Sequence, residues 1–162
     1  MPVDLVQLSI VLLVAGAIFA ALSPPWRGWL RRSSFVFVLA GAVAAAWAGV
    51  AVLLGGGTPA VSELFVLPGI GASLALKIDS LSAVFLLILS LIAAATSLYA
   101  VRSMGEEPAS GHRRFYPILL LFFASVFALV CSWDMLFFLV FWEFMTLASY
   151  ALVVYDGDDP VS

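Results

Sequence analysis

One carboxyl group lies in the interior of the last long apolar segment of this sequence. Glu143 is the only acidic or basic residue between positions 135 and 155. It follows Met135 by eight residues, which is about 12 Å along a helix. That is near the middle of a hydrocarbon core about 30 Å thick, where an ionised side chain costs at least about 2.5–3.5 kcal/mol. Such a residue is typical of a proton relay, an ion site or a substrate contact. The alternative is a protonated acid that hydrogen-bonds to a neighbouring helix for packing only.

Two hydroxyl groups share the predicted helix face of Glu143. Thr146 and Tyr150 follow it by three and seven residues, and Leu147 follows by four, so all of them project from the same side of a helix. Thr146 and Tyr150 are candidates to support a hydrogen-bonded water chain beside the carboxyl. The alternative is that backbone carbonyls or lipid headgroups satisfy both hydroxyls.

Two aspartates precede apolar segments. Asp134 stands before the fifth segment and Asp79 before the third. Asp is a preferred residue at a helix N-cap, so the sequence predicts that both shape the starts of these helices. A supporting role in a proton relay is the other hypothesis for each of them.

The composition indicates an integral membrane protein. Of 162 residues, 64% are hydrophobic and 10% are charged, and the mean hydropathy is +1.17. Soluble domains are about half apolar and a quarter charged. Five spans of about 20 residues use most of the chain, which excludes a soluble catalytic domain.

The sequence also lacks the motifs of cofactor-binding proteins. A lone Cys131 and one histidine provide no metal or iron–sulfur ligand spacing, and no nucleotide-binding motif is present. We therefore expect no cofactor, no metal and no nucleic-acid partner.

The apolar runs predict an all-α fold with five transmembrane helices. The runs are Leu5–Leu22, Phe35–Leu54, Leu81–Val101, Phe115–Trp133 and Met135–Tyr155. Residues 1–55 thus carry the first two spans and 80–155 the other three. The fourth run places Pro117 in a first helical turn, where proline is tolerated. Asp134 alone separates the fourth and fifth runs. Asp4 is the only charge before the first run, so that run reads as a true span and not as a signal peptide.

The segment 56–79 is too broken by proline and glycine to span a membrane. Leu74, Leu76 and Ile78 alternate with other residues after a Pro-Gly pair, which is strand-like spacing. The sequence predicts a small β-hairpin outside the bilayer.

The second span carries a stripe of small residues. Gly41, Ala45 and Gly49 recur there at a spacing of four. This spacing lets helix backbones approach closely, although an alanine-rich helix without a special partner would look the same.

The basic residues predict the orientation. Positive charges concentrate in the short cytoplasmic loops of membrane proteins. Six arginines fall in the first and third connections, and one lysine falls on the other side. The arginines are Arg27, Arg31, Arg32, Arg102, Arg113 and Arg114, and the lysine is Lys77. The N-terminus, the hairpin and Asp134 are therefore expected outside, and the acidic tail 156–162 in the cytoplasm.

The fifth segment resembles a known family. Residues 141–150 read Phe-Trp-Glu-Phe-Met-Thr-Leu-Ala-Ser-Tyr. This is similar to the fifth-helix signature of the antiporter-like membrane subunits of respiratory complex I, multisubunit cation/proton antiporters and membrane-bound hydrogenases. The form is most similar to the large membrane subunit of hydrogenase-4 and formate hydrogenlyase complexes. Asp79-Ser80-Leu81-Ser82-Ala83, Tyr99 and Phe115-Tyr116 also resemble that group, so the likeness covers about Lys77 to the end.

The resemblance implies a role in proton translocation within an oxidoreductase complex. It implies that Glu143 is a central element of the proton path and pairs with a lysine on the seventh helix of the family, which these 162 residues do not include. The chain is therefore expected to be a truncated reading frame or one piece of a split subunit. Its expected partners are membrane lipid, other subunits of a complex I-like or hydrogenase complex, and a second chain with the later helices.

Three hypotheses follow. The leading one is the N-terminal portion of a subunit that translocates protons or sodium, with electron transfer in other chains. The second is a membrane scaffold or assembly subunit that translocates nothing. The third is a small independent transporter that oligomerises to complete its path, and it ranks last because the sequence offers no buried cation to oppose Glu143.

Overall fold

Five long helices account for the apolar runs. The computed structural model describes residues 2–23, 27–56, 59–69, 71–103 and 109–154. The helices are α1 Pro2–Leu22, α2 Arg27–Leu54, α3 Ser80–Ser103, α4 Ala109–Cys131 and α5 Met135–Val154. All five are long and apolar enough to cross a membrane. The predicted all-α membrane fold with five spans is confirmed. Tyr155 and the predicted acidic tail lie outside the described residues.

A two-stranded hairpin fills the connection between α2 and α3. Strand β1 (Ala60–Leu67) pairs antiparallel with β2 (Ala72–Ile78), with a bulge between Glu63 and Phe65. The turn includes Gly71, whose φ of 66° suits a residue without a Cβ. The amide of Gln7 in α1 donates a 3.1 Å hydrogen bond to Ser62 Oγ in β1. The predicted hairpin is therefore confirmed, and it lies at the end of the bundle where α1 begins.

Glycines on α2 allow its neighbours to approach closely, as the spacing of small residues predicted. A Cβ at Gly41 would lie 2.9 Å from Leu13 Cγ of α1, and a Cβ at Gly49 would lie 2.8 Å from the Ala83 carbonyl oxygen of α3. Between them Ala45 is fully buried. The Ser9 hydroxyl of α1 donates a 2.7 Å hydrogen bond to the Gly41 carbonyl. α2 therefore packs against α1 on one side and α3 on the other, with backbone contact in each direction.

Helix α4 begins earlier than predicted. It begins at Ala109, six positions before Phe115, where the apolar run begins. The polar residues between these two positions are therefore also helical, and hydropathy does not detect them. The expectation that Pro117 lies in a first helical turn is therefore wrong, and Pro117 lies inside the helix. Proline has no N–H to donate to the carbonyl four residues earlier. Membrane helices tolerate this because neighbouring groups satisfy the freed carbonyl.

The turn between α4 and α5 is longer than predicted. α4 ends at Cys131, so residues 132–134 connect the two helices, and not Asp134 alone. The Trp133 N–H donates a 3.0 Å hydrogen bond to the Ala75 carbonyl of β2, and Ser132 forms a β-bridge with Leu76. Pairing with the hairpin is a tertiary contact that competes with the helix for these backbone groups, and it ends α4 before the apolar run ends.

The buried core lies between α1, α2, α3 and α4, and α5 lies at its margin. Large side chains that are fully buried include Leu13, Leu30, Leu86, Leu120 and Phe127. On α5 the only buried residue is Ala148. α5 packs against α4 and touches β2 at its start. Most of its surface therefore remains uncovered by the part of the chain that the structure describes.

Candidate functional site

The face of α5 that carries Glu143 points away from the other helices. Glu143, Thr146 and Tyr150 are all exposed, and Tyr150 is 66% exposed. Elsewhere on α5, Phe138 is half-buried and Ala148 is buried. Three of the site residues predicted from the sequence thus lie together on one outward face, which we call the carboxyl face. Among the described helical residues, Glu143 is the only acidic one beyond a first turn.

The hydroxyl of Thr146 already has a hydrogen-bond acceptor. Its Oγ1 donates a 2.9 Å bond to the carbonyl of Trp142, one turn earlier in the same helix. This is the local back-bonding that threonine commonly forms in helices. The oxygen keeps its lone pairs, so on the carboxyl face Thr146 offers an acceptor for a water or a donor. Tyr150, one turn further along, offers a donor and an acceptor.

Asp134 fixes the start of α5 from two directions. Its Oδ1 accepts a 2.9 Å hydrogen bond from the Leu136 N–H, and its Oδ2 accepts a 3.3 Å bond from the Ser73 N–H of β2. The first bond is a capping contact, which satisfies an N–H at the start of the helix. The second ties the helix to the hairpin. Asp134 is therefore at the hairpin end of α5 and not beside Glu143.

Asp79 caps α3 in the same way. Its Oδ1 accepts a 2.9 Å hydrogen bond from the Ser82 N–H. This backbone donor lowers the pKa of the Asp79 carboxyl below its ordinary value of 3.8. Asp79 and Asp134 belong to the same end of the bundle, because Ser82 Oγ also donates to the Val130 carbonyl near the end of α4. Neither aspartate lies on the carboxyl face.

Asp79→Ala is expected to lower the free energy of unfolding by about 1 kcal/mol at neutral pH, the usual cost of removing an N-cap. Because the folded-state pKa is lowered, the ionised carboxylate stabilises the native state above the unfolded-state pKa, and this stabilisation is lost as the pH falls through the folded-state pKa. The difference from wild type should therefore shrink below pH 3.8. Denaturant titrations in detergent micelles across pH measure this. Asp79→Asn, which keeps an acceptor oxygen, is the control and should retain most of the stability; an equal loss in both variants would contradict a capping role.

A cation–π contact joins the hairpin to the α4–α5 turn. Lys77 Nζ of β2 lies 3.9 Å from the ring centroid of Trp133. Sequence reasoning treated Lys77 only as an orientation signal and did not identify this contact. No sequence pattern relates the two residues, because the contact depends on how β2 pairs with the turn. With the Ser73 and Ala75 backbone bonds, it holds the beginning of α5 in place.

Chemically, the arrangement offers one acid that can gain or lose a proton, with hydroxyl groups on the same face. Within the described residues, no group of three or more histidine, cysteine or acidic side chains is placed to hold a metal ion. The carboxyl face therefore presents one carboxyl group with the hydroxyl groups of Thr146 and Tyr150 beside it.

Three curated proteins illustrate what the chain is similar to. NADH-quinone oxidoreductase subunit L of Mycobacterium tuberculosis is 38% identical over 85 residues, 52% of this chain and 13% of that protein. Hydrogenase-4 component B of Escherichia coli is 36% identical over 83 residues, 51% of this chain and 12% of that protein. The putative antiporter subunit mnhA2 of Staphylococcus saprophyticus is 37% identical over 79 residues, 49% of this chain and 10% of that protein. No family model matches the chain.

A solved structure shares the fold. A chain of the membrane-bound sulfane sulfur reductase, an archaeal respiratory membrane complex, superposes with a TM-score of 0.79 at 23% identity, over 96% of this chain and 31% of that chain. The five candidate spans and this shared fold make the protein a multi-pass membrane protein. Over this stretch the chain is similar to membrane subunits of the kind that the fifth segment resembles. The matched stretch is about a tenth of the length of these curated relatives.

Proposed function

We propose that this chain is part of a subunit that translocates protons across a prokaryotic plasma membrane, with Glu143 as the protonatable group. The observation that carries the proposal is the outward position of Glu143 near mid-span. Ionisable residues inside membranes almost always face protein or a water-filled cavity, because a carboxylate in contact with lipid is costly. The carboxyl face of α5 therefore meets protein or water that other parts of a larger assembly supply.

In this proposal, a neighbouring cationic group controls when Glu143 releases and takes up a proton. An ionised carboxyl group without a partner is costly in the hydrocarbon core, so the proposal requires a second group beside Glu143. A cationic group brought close to it favours the carboxylate and releases the proton, and withdrawal of that cation favours protonation again. Thr146 and Tyr150 are proposed to hold water beside the carboxyl, since both are exposed on its face. A sodium ion bound to the same carboxylate is the alternative cargo.

The proposed partners of this chain are inferred from the assemblies for which its relatives are named. NADH-quinone oxidoreductase, hydrogenase-4 and the Mnh-type antiporter each take their name from an assembly in which the matched protein is one subunit or component. We propose that this chain likewise works beside other membrane subunits, that electron transfer takes place in other chains, and that a segment outside these 162 residues supplies the cation. A scaffold without transport is less well supported, because packing alone leaves the cost of Glu143 unexplained.

The orientation is proposed from the two ends of the bundle. The hairpin, the starts of α1, α3 and α5 and the end of α4 lie at one end. The six arginines belong to the start of α2, the end of α3 and the first half of α4, which helix direction places at the other end. The arginine end is proposed to face the cytoplasm.

Labelling with an apolar carbodiimide tests the proposal. Such a reagent partitions into the bilayer and couples to protonated carboxylic acids. In vesicles that contain the complete complex, we expect modification at Glu143 and loss of proton flux with the same time course. Glu63, exposed on β1 and predicted to lie outside the bilayer, is the internal control and should stay unmodified. Full labelling of Glu143 with unchanged flux would refute the role of this residue.

A further inference from the structure

Few contacts hold α5 in the bundle. Among the residues that the structure describes, α5 packs chiefly against α4 and touches β2, and Ala148 is its only buried residue. It carries no acidic residue in its first turn and no basic residue in its last turn that would hold it at a membrane surface. The tilt and rotation of a membrane helix are set by packing and by anchors at its ends. An anchor at the start of α5 therefore has a large share in deciding where the whole helix stands.

Strand β2 pairs with the residues that precede α5. The Trp133 N–H donates a 3.0 Å hydrogen bond to the Ala75 carbonyl, and Asp134 Oδ2 accepts a 3.3 Å bond from the Ser73 N–H. Ser73 and Ala75 are two residues apart, so their backbone groups point to the same edge of the strand, and β1 occupies the other edge. The turn is thus added to the hairpin like a short third strand. We call these two hydrogen bonds and the Lys77–Trp133 cation–π contact the hairpin clamp.

The hairpin is a firm anchor because β2 is buried. Ala75 and Leu76 are buried, and Ile78 is fully buried. Leu76 and Ile78 belong to the same apolar core as the helices. Ile78 leads directly into Asp79, whose carboxyl caps α3. The clamp therefore ties α5 to the core of the bundle and to the start of α3.

Asp134 is suited to join a helix start to a strand. Its Oδ1 caps α5 at the Leu136 N–H, while its Oδ2 bonds to the hairpin. Serine or asparagine would cap the helix about as well, but each has a single side-chain oxygen to accept hydrogen bonds. The second oxygen of Asp134 therefore serves the clamp and not the cap.

A displacement at the clamp reaches Glu143. Glu143 follows Asp134 by nine residues, which is about 13.5 Å along the helix. The sequence of α5 has neither proline nor glycine, the residues at which helices usually kink, so the helix moves as one body. Release of its start would change the depth of Glu143 and its distance from any group that exchanges a proton with it.

We propose that Asp134, Lys77 and Trp133 are positioning residues for Glu143. Through the hairpin clamp they fix the place of α5 along the bundle axis, and with it the depth of the carboxyl group in the membrane. The role of Glu143 itself rests on the proposed function, whereas the position of α5 can be measured independently of transport.

The combined variant Asp134→Ser and Trp133→Leu releases the clamp. Serine still caps the helix, but its single oxygen cannot serve Ser73 as well, and leucine gives Lys77 no aromatic ring. In vesicles with the complete complex, we expect proton flux to fall about tenfold to a hundredfold, the scale on which misplacing a reacting group by about 1 Å acts. Lys77→Met removes one contact only and should give a smaller loss of the same kind, which decides the question if the combined variant fails to accumulate.

The position of α5 is measured directly in the same complex. Spin-labelled amino acids are placed at Leu91 of α3 and Leu147 of α5, both of which are exposed. We expect release of the clamp to broaden the distribution of distances between them by about 1.5 Å or more, the rise of one helical residue. An unchanged distribution would overturn the proposal, and so would a broader distribution with normal flux in a complex that needs Glu143 for transport.

Trp29→Leu is the matched control. Trp29 is 60% exposed and Trp133 is 59% exposed, so both substitutions remove an exposed indole, but Trp29 lies near the start of α2 at the other end of the bundle. It should change neither the distance nor the flux. Trp133→Phe keeps an aromatic face for Lys77 and should retain most of the flux. An equal loss in Trp29→Leu would mean that removal of a tryptophan, and not release of the clamp, causes the effect.

The two proposals fail in different ways. If Glu143→Gln leaves transport unchanged while release of the clamp broadens the distance distribution, then the clamp anchors α5 and the proton role fails. If Glu143→Gln stops transport while release of the clamp changes neither flux nor distance, then the proton role stands and the clamp proposal is wrong.

Discussion

Glu143→Gln is expected to reduce proton translocation by the complete complex by about a hundredfold or more, the scale on which a positioned acid–base group contributes. Glutamine has nearly the same shape and keeps hydrogen-bonding ability, but it has no proton to release. The amount of protein in the membrane should not fall, because an amide costs less in the bilayer than a charge. Electron transfer coupled to quenching of a pH-sensitive dye in inverted vesicles measures the flux.

Two variants sharpen this first prediction. Glu143→Asp keeps an acid on a shorter side chain and should retain part of the flux, which separates loss of the acid from loss of shape. Glu63→Gln removes an exposed carboxyl of β1 and should leave the flux unchanged. Normal proton flux in Glu143→Gln, at normal protein abundance, would remove Glu143 from the pathway and return the scaffold hypothesis to first place.

Gly49→Val is expected to destabilise the bundle by about 1–3 kcal/mol, the range for overpacking in a well-packed interior. The first added carbon would lie 2.8 Å from the Ala83 carbonyl oxygen. That contact is to backbone, so no side-chain rotation relieves it, and α3 must move away from α2. Thermal unfolding in detergent micelles, followed by tryptophan fluorescence, measures the loss.

Gly28→Val is the matched control for the second prediction. Gly28 lies in the same helix, and a Cβ built there meets nothing within 4 Å. The same change of residue type should therefore leave the melting temperature nearly unchanged, or raise it slightly because glycine is a poor helix former. An equal loss at both positions would mean that glycine flexibility, and not helix contact, decides the effect at Gly49.

The sequence alone was sufficient to predict the architecture and to single out Glu143 as the candidate site residue. Each span is a run of apolar residues long enough for the bilayer, so hydropathy located all five helices without knowledge of their neighbours. The alternation before Asp79 predicted the hairpin for a similar local reason. The depth of Glu143 followed from counting residues along one helix. The stripe of Gly41, Ala45 and Gly49 predicted close packing, although not its partners, which are Leu13 and Ala83.

Only the tertiary structure decided where α4 begins and ends and which way α5 faces. The first turns of α4 hold polar residues, and its end pairs with β2, so hydropathy misplaced both boundaries. In a bilayer the lipid-facing and protein-facing sides of a helix are both apolar, and α5 therefore has no amphipathic pattern to reveal its orientation. The contacts of Asp134 with Ser73 and of Trp133 with Lys77 fix the start of that helix. Packing against α4 then turns Glu143 outward, because rotation about a helix axis is set by contacts and not by composition.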